Sequence, residues 1–150
     1  MKYKTLGAFK GVQNVGNCKA ATDLAVGMGV ELDRVNLTAS LPTDATSVYY
    51  IVSNINDRAD TFYFDDDQVI FEGEYVRADD LTSIPNLEIE FAESEIADDY
   101  DGLAVGDSLV FNTDGLLTVA TDASSYKVYF EIEELTAYKT AGVLAIIRVN

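Results

Sequence analysis

Along most of this chain apolar and polar residues alternate over short runs, the period-two pattern of strands with one buried face. Leu87, Ile89 and Phe91 against Glu88 and Glu90 form the cleanest example. Val128, Phe130 and Ile132 share one face in the same way, as do Tyr50 and Val52. Further strands are predicted over residues 30–37, 48–53, 108–111, 116–120 and 127–133. In the middle of the chain, residues 62–91, strand-like runs alternate with acidic turns: Asp65-Asp66-Asp67 ends one run, and Val69, Phe71, Tyr75 and Val76 carry the next. Residues 143–149 are almost continuously apolar and predict a buried or interface strand that closes the domain. Asn112-Thr113-Asp114-Gly115 is a hairpin signal, because Asp-Gly suits a type I′ turn. Helix is scarce, with a turn or two expected at 78–83, 92–98 and 133–138. Short strands with frequent turn signals predict an all-β fold, a sandwich or barrel-like domain.

The pattern repeats. Leu24-Ala25-Val26-Gly27 reappears as Leu103-Ala104-Val105-Gly106, Thr43-Asp44-Ala45-Thr46-Ser47 as Thr121-Asp122-Ala123-Ser124-Ser125, and the strand from Val48 as the strand from Val128. The order is the same and the offset nearly constant, so two related β lobes are expected, spanning about residues 21–76 and 101–150. In each copy the glycine before the strand supplies a backbone conformation that β-branched residues adopt only at a cost.

Composition changes this picture mainly through charge. The chain has 150 residues, 26 Asp and Glu against 10 Lys and Arg, no His and one Cys. A formal charge of −16 argues against direct nucleic-acid binding, which needs phosphates to be neutralised, and against an anionic membrane surface. The division along the chain is uneven. Residues 1–20 hold Lys2, Lys4, Lys10 and Lys19 and no acid, +4, so the remaining residues carry −20. Such asymmetry predicts an extended basic N-terminal arm, 1–20, on an acidic β-domain, 21–150. The alternative is an arm folded back on its own body. No apolar stretch is long enough for a membrane-spanning helix, and the first residues lack the apolar run of a secretory signal.

Candidate chemistry is thin. Without His there is no Ser–His or Cys–His pair. Cys18 has Lys19 beside it but no base, and reads as a structural thiol. Asp65-Asp66-Asp67 and Asp98-Asp99-Tyr100-Asp101-Gly102 lack the alternating spacing of a Ca²⁺ loop and read as solvated turns. Gly27-Met28-Gly29 lacks the rest of a phosphate-binding fingerprint. The expectation is a binding and assembly protein, with no enzymatic activity, no cofactor and no metal.

Leu103-Ala104-Val105-Gly106-Asp107, then a strand, Thr113-Asp114-Gly115-Leu116-Leu117, a Tyr/Phe strand and the apolar strand ending at Val149 follow one another in order. This succession resembles the small β-rich capsid decoration (head-stabilising, cement) proteins of tailed bacteriophages. The resemblance covers residues 20–150, and the first half repeats it loosely, with Met28 where the second half has Asp107 and without the Asp-Gly turn. It implies a virion structural protein made in the host cytoplasm and bound to the outside of a capsid. The major capsid protein would be its partner, and trimers or other small clusters its oligomeric form. Lys2, Tyr3, Lys4, Leu6, Phe9, Lys10 and Lys19 are the expected capsid-interface residues, the lysines meeting acidic patches and the apolar residues anchoring. Two other readings are a tail-tube or head–tail connector subunit and an extracellular carbohydrate-binding β-module.

Overall fold

A computed structural model describes residues 1–4, 11–55 and 68–150. The chain is all-β. The strands are β1 (Lys2–Tyr3), β2 (Gln13–Ala20), β3 (Leu24–Ala25), β4 (Gly29–Asp33), β5 (Thr38–Ser40), β6 (Tyr50–Val52), β7 (Val69–Ile70), β8 (Tyr75–Asp80), β9 (Glu88–Ala92), β10 (Ser108–Phe111), β11 (Leu117–Ala120), β12 (Val128–Thr136) and β13 (Gly142–Val149). A closed barrel runs β2-β5-β4-β6-β8, and a six-stranded sheet runs β1-β9-β13-β12-β10-β11. β3 and β7 form a separate antiparallel pair. The apolar run near the C-terminus becomes β13, which lies between β9 and β12. A strand with a neighbour on each side and a core beneath it tolerates few polar positions.

The two similar halves are built alike. Gly27 and Gly106 both sit in the left-handed region, with φ of 96° and 94°. Gly27 N–H donates to Val52 O at 2.9 Å, and Gly106 N–H to Ile132 O at 2.8 Å. Val52 and Ile132 answer with N–H bonds to Met28 O and Asp107 O, both at 2.9 Å. The strands that follow pair in the same register, Val30 opposite Tyr50 in one half and Leu109 opposite Phe130 in the other. The polar turns also match: Asp44 Oδ1 accepts from Thr46 N–H at 3.0 Å, and Asp122 Oδ1 from Ser124 N–H at 2.9 Å. Even the difference between Met28 and Asp107 preserves a bond. Asp107 Oδ2 accepts from Ala104 N–H at 2.9 Å, and Met28 Sδ stands 3.1 Å from Ala25 N in the same place.

The halves meet over an apolar core continuous from barrel to sheet. Phe130 is its centre, in edge-to-face contact with Phe91 at 5.0 Å and Phe111 at 5.4 Å between ring centroids. Phe111 lies directly on Gly29, where a Cβ would overlap its ring. Gly29 N–H also donates to Gly115 O at 2.8 Å, tying the second hairpin to β4 of the barrel.

Four local expectations change. The strand expected over 30–37 ends at Asp33, and residues 34–37 turn the chain into β5. The Asn112–Gly115 stretch is not a type I′ turn, which would require positive φ at both Asp114 and Gly115; only Gly115 has it, at 76°. Asn112 exchanges backbone bonds with Gly115 and Leu116, and its Oδ1 accepts from Asp114 and Leu116 N–H, so the side chain stabilises a wider loop. The expected helical turns shrink to 3-10 turns at Leu81–Ser83, Glu93–Glu95 and Tyr138–Thr140, with β8 and β12 occupying the rest of two of those windows. Glu90, expected to point outward, is 5% exposed because β1 covers it.

The hairpin between β4 and β5 differs from its counterpart in one strained position. Where the second half places Gly115, the first places Leu37 at φ 55°, with 43% of the residue exposed. A left-handed conformation costs a residue with a Cβ about 1–2 kcal/mol. Leu37→Gly is therefore expected to stabilise the protein by about 1 kcal/mol, and Leu37→Val to destabilise it by a similar amount, both read from urea unfolding midpoints. A lower midpoint for the glycine variant would show that the Leu37 side chain contributes more by packing than its backbone costs.

Candidate functional site

The described part of the expected arm is built into the body. β1 pairs with β9, Lys2 opposite Glu90 and Tyr3 opposite Ile89, and Lys4 N–H continues the ladder to Glu88 O at 3.0 Å. β2 is a wall of the barrel, antiparallel to β8 and parallel to β5. Charge counting pointed to an arm because it registers lysines; it is blind to Cys18 and Ala20, which are buried on the inner side of β2.

What holds β1 is a row of buried acids. The Met1 ammonium pairs with Glu95 Oε1, and Glu95 Oε2 accepts from Ala92 N–H at 2.6 Å. Lys4 Nζ lies 2.8 Å from Glu90 Oε2. Tyr3 Oη donates to Asp79 Oδ2 at 3.0 Å, and Arg77 Nε stands 3.8 Å from Asp79 Oδ1. Glu95, Glu90 and Asp79 are each less than a tenth exposed. A buried carboxylate needs such partners, since a lone charge in this setting costs several kcal/mol, of the order of 3–5 when one partner is removed. Burial pushes the Asp79 and Glu95 carboxyls above the ordinary range, against the opposing pull of Tyr3 and Arg77 on one and of the ammonium on the other. It also raises the Tyr3 phenol, with the Asp79 charge adding to the effect.

These shifts have a definite sign. A carboxyl with a raised folded pKa adds stability at low pH and loses it as the pH rises through the folded value. Asp33, Asp44 and Asp122 act the other way: hydrogen bonds from Asn36, Thr46 and Ser124 hold them low, so their contribution is lost as the pH falls below roughly 4. Relief of repulsion among 26 acids adds to the first effect. The thermal midpoint is expected to rise as the pH is lowered from 7 towards 5 and to fall again below about 4. Asp79→Asn should flatten the rising limb; a midpoint already maximal at pH 8 would contradict this account.

Beside the Met1–Glu95 pair is a pocket of about 240 Å³ lined by Ala25, Val26, Gly27, Met28, Ser94, Glu95 and Leu116. Its one charged wall residue is already committed to the ammonium and to Ala92 N–H. Ser94 therefore has no base in that carboxylate, and the chemistry is that of a structural ion pair in an apolar setting.

Of the remaining expected interface residues, Lys2 and Lys19 are exposed, Lys19 Nζ 5.3 Å from the centre of the Tyr75 ring, while Leu6, Phe9 and Lys10 lie outside the described residues. Cys18 is fully buried, which raises its thiol pKa. Asp98 Oδ2 accepts from Thr118 Oγ1 at 2.7 Å and Val119 N–H at 2.5 Å, and Asp99 accepts from Asp101 N–H at 3.2 Å. Those acids close turns and cover the edge of β11. Asp65, Asp66 and Asp67 lie outside the described residues. The residues that sequence reasoning missed are Asp79, Glu90 and Glu95. Their one signal was the opposite charge of the first twenty residues and the rest.

No protein-family model matches this chain. No curated protein matches it either.

Proposed function

We propose that the protein is a virion structural component that binds the outside of a tailed-phage capsid and stabilises or decorates it. The observation that carries this reading is the ordered succession of Val105-Gly106-Asp107, strand, Asp114-Gly115-Leu116, strand and apolar final strand, which resembles the decoration proteins of such phages. The major capsid protein is the proposed partner. Copies clustered at lattice axes would turn weak contacts into firm attachment through multiplicity. The net charge of −16 favours an outward face that keeps particles apart. Of the lysines read as interface residues, Lys2 and Lys19 are exposed for such contacts, whereas Lys4 is paired with Glu90.

The test is purification of intact particles from a lysate of the strain that encodes the chain, followed by quantitative mass spectrometry. Stoichiometric presence on particles, released by mild treatment that leaves the shell closed, is the expected result. Particles that contain none of it would overturn the reading.

A further inference from the structure

The two halves share a loop geometry but not its surroundings, and the difference leaves one end of a strand position open. In the first half, β3 is paired by β7, Leu24 opposite Ile70 and Ala25 opposite Val69, and Val26 N–H donates to Gln68 O at 3.3 Å. Val26 is 6% exposed, and a Cβ on Gly27 would lie 3.2 Å from Met1 Cβ and overlap the Glu95 carboxylate. The second half presents Leu103, Ala104 and Val105 in the equivalent place, before the equivalent glycine. There, no strand pairs with the segment among the described residues, Val105 is 64% exposed, and nothing lies within 4 Å of a Cβ on Gly106. The Val105 N–H, counterpart of the donor satisfied by Gln68, has no acceptor among the described residues, whereas the Leu103 N–H donates to Tyr100 O at 3.0 Å and the Ala104 N–H to Asp107 Oδ2 at 2.9 Å, so the open position is the Val105 end of the segment.

The surroundings say what would fit. The loop is bonded to β12 through Gly106 and Asp107 at Ile132, just where a bulge leaves Glu133 and Glu134 exposed. Leu135 pairs with Val143, which is fully buried, so it shares the core-facing side of the sheet, yet it is 41% exposed at the margin. An unpaired N–H, exposed apolar side chains and flanking carboxylates match an extended segment with β-branched residues between lysines or arginines.

We propose that the Val105 end of this segment accepts an extended antiparallel segment from the partner protein, in the position that Gln68, just before β7, occupies against Val26. The partner segment is extended, apolar at its centre and basic at its flanks. This rests on the assembly reading above, and makes the Val105 loop a second contact with the shell protein, separate from the exposed Lys2 and Lys19.

The test uses the full chain and the peptide Lys-Gln-Val-Ile-Phe-Lys, which copies Gln68–Phe71 between two lysines. Titration followed by amide NMR is expected to shift Val105, Gly106 and Leu135, with binding about tenfold weaker in Val105→Asp. Leu135→Lys serves as a second variant at an exposed position and should weaken binding likewise. Absence of shifts, shifts confined to residues 24–27, or equal binding by both variants would overturn the strand site. None of those results bears on whether the protein occurs on particles. Conversely, particles without the protein would overturn the assembly reading while leaving the peptide result intact.

Discussion

Replacing Gly29 with valine is expected to destabilise the protein by about 3 kcal/mol, enough to remove a large part of the stability of an ordinary domain. Gly29 opens β4 and touches both halves. A Cβ there would overlap the Phe111 ring, and the Gly29 carbonyl lies 2.7 Å from the Cβ position of Gly115. Phe111 has little room to yield: it is 2% exposed and held edge-on by Phe130, which is held in turn by Phe91. Small-to-large changes in a packed core force off-rotamer side chains or backbone shifts. Gly16→Ala is the control, because nothing lies within 4 Å of a Cβ there, and it should leave the midpoint nearly unchanged. Combining Gly29→Val with Phe111→Leu should recover part of the loss, with the coupling read from a double-mutant cycle in urea. A Gly29→Val midpoint equal to the parent would mean that the halves separate more easily than the shared aromatic cluster implies.

That seam was only partly legible in the amino-acid sequence. Leu87, Ile89 and Phe91 could be assigned to one face because the pleat has period two, and the matched Leu-Ala-Val-Gly segments marked equivalent turns because the same φ is needed at Gly27 and Gly106. Neither pattern says which strands pair. The closed barrel joins β2 to β8, pairing residues as far apart in the chain as Gln13 and Asp80, and such long-range pairing leaves no local mark. The burial of Glu90 was hidden for the same reason, since the residues that cover it come from the start of the chain. Met28 shows a different limit. It departs from Asp107 in chemistry, yet its sulfur takes the carboxylate's place at the loop N–H, a substitution that geometry reveals and residue type conceals.

Deleting residues 2–19 is expected to abolish cooperative folding, whereas deleting residues 1–4 should leave a weakened but folded domain. The shorter deletion removes the ammonium from Glu95, Lys4 from Glu90 and the Tyr3 hydroxyl from Asp79. Breaking one buried pair typically costs about 3–5 kcal/mol, but Asp79 and Glu95 are already inclined to take up a proton, which limits the loss and shifts it with pH. The folded fraction of that variant should recover as the pH is lowered from 7 towards 5. The longer deletion also removes nearly all of β2, so β5 and β8 lose their common neighbour and the barrel opens beneath Val76, Ala78 and Ala39, all essentially buried. An open edge over an exposed core face is not a stable arrangement for a sheet this small. Circular dichroism during urea unfolding distinguishes the cases: a sigmoidal transition for the shorter deletion, a sloping one for the longer. A parent-like transition in the longer deletion would show that the first twenty residues are an arm after all. Loss of particle binding by a chain that no longer folds says nothing about which residues touch the shell. The interface is therefore better tested by Lys2→Glu and Lys19→Glu, which reverse charge at exposed positions and leave the row of buried acids paired.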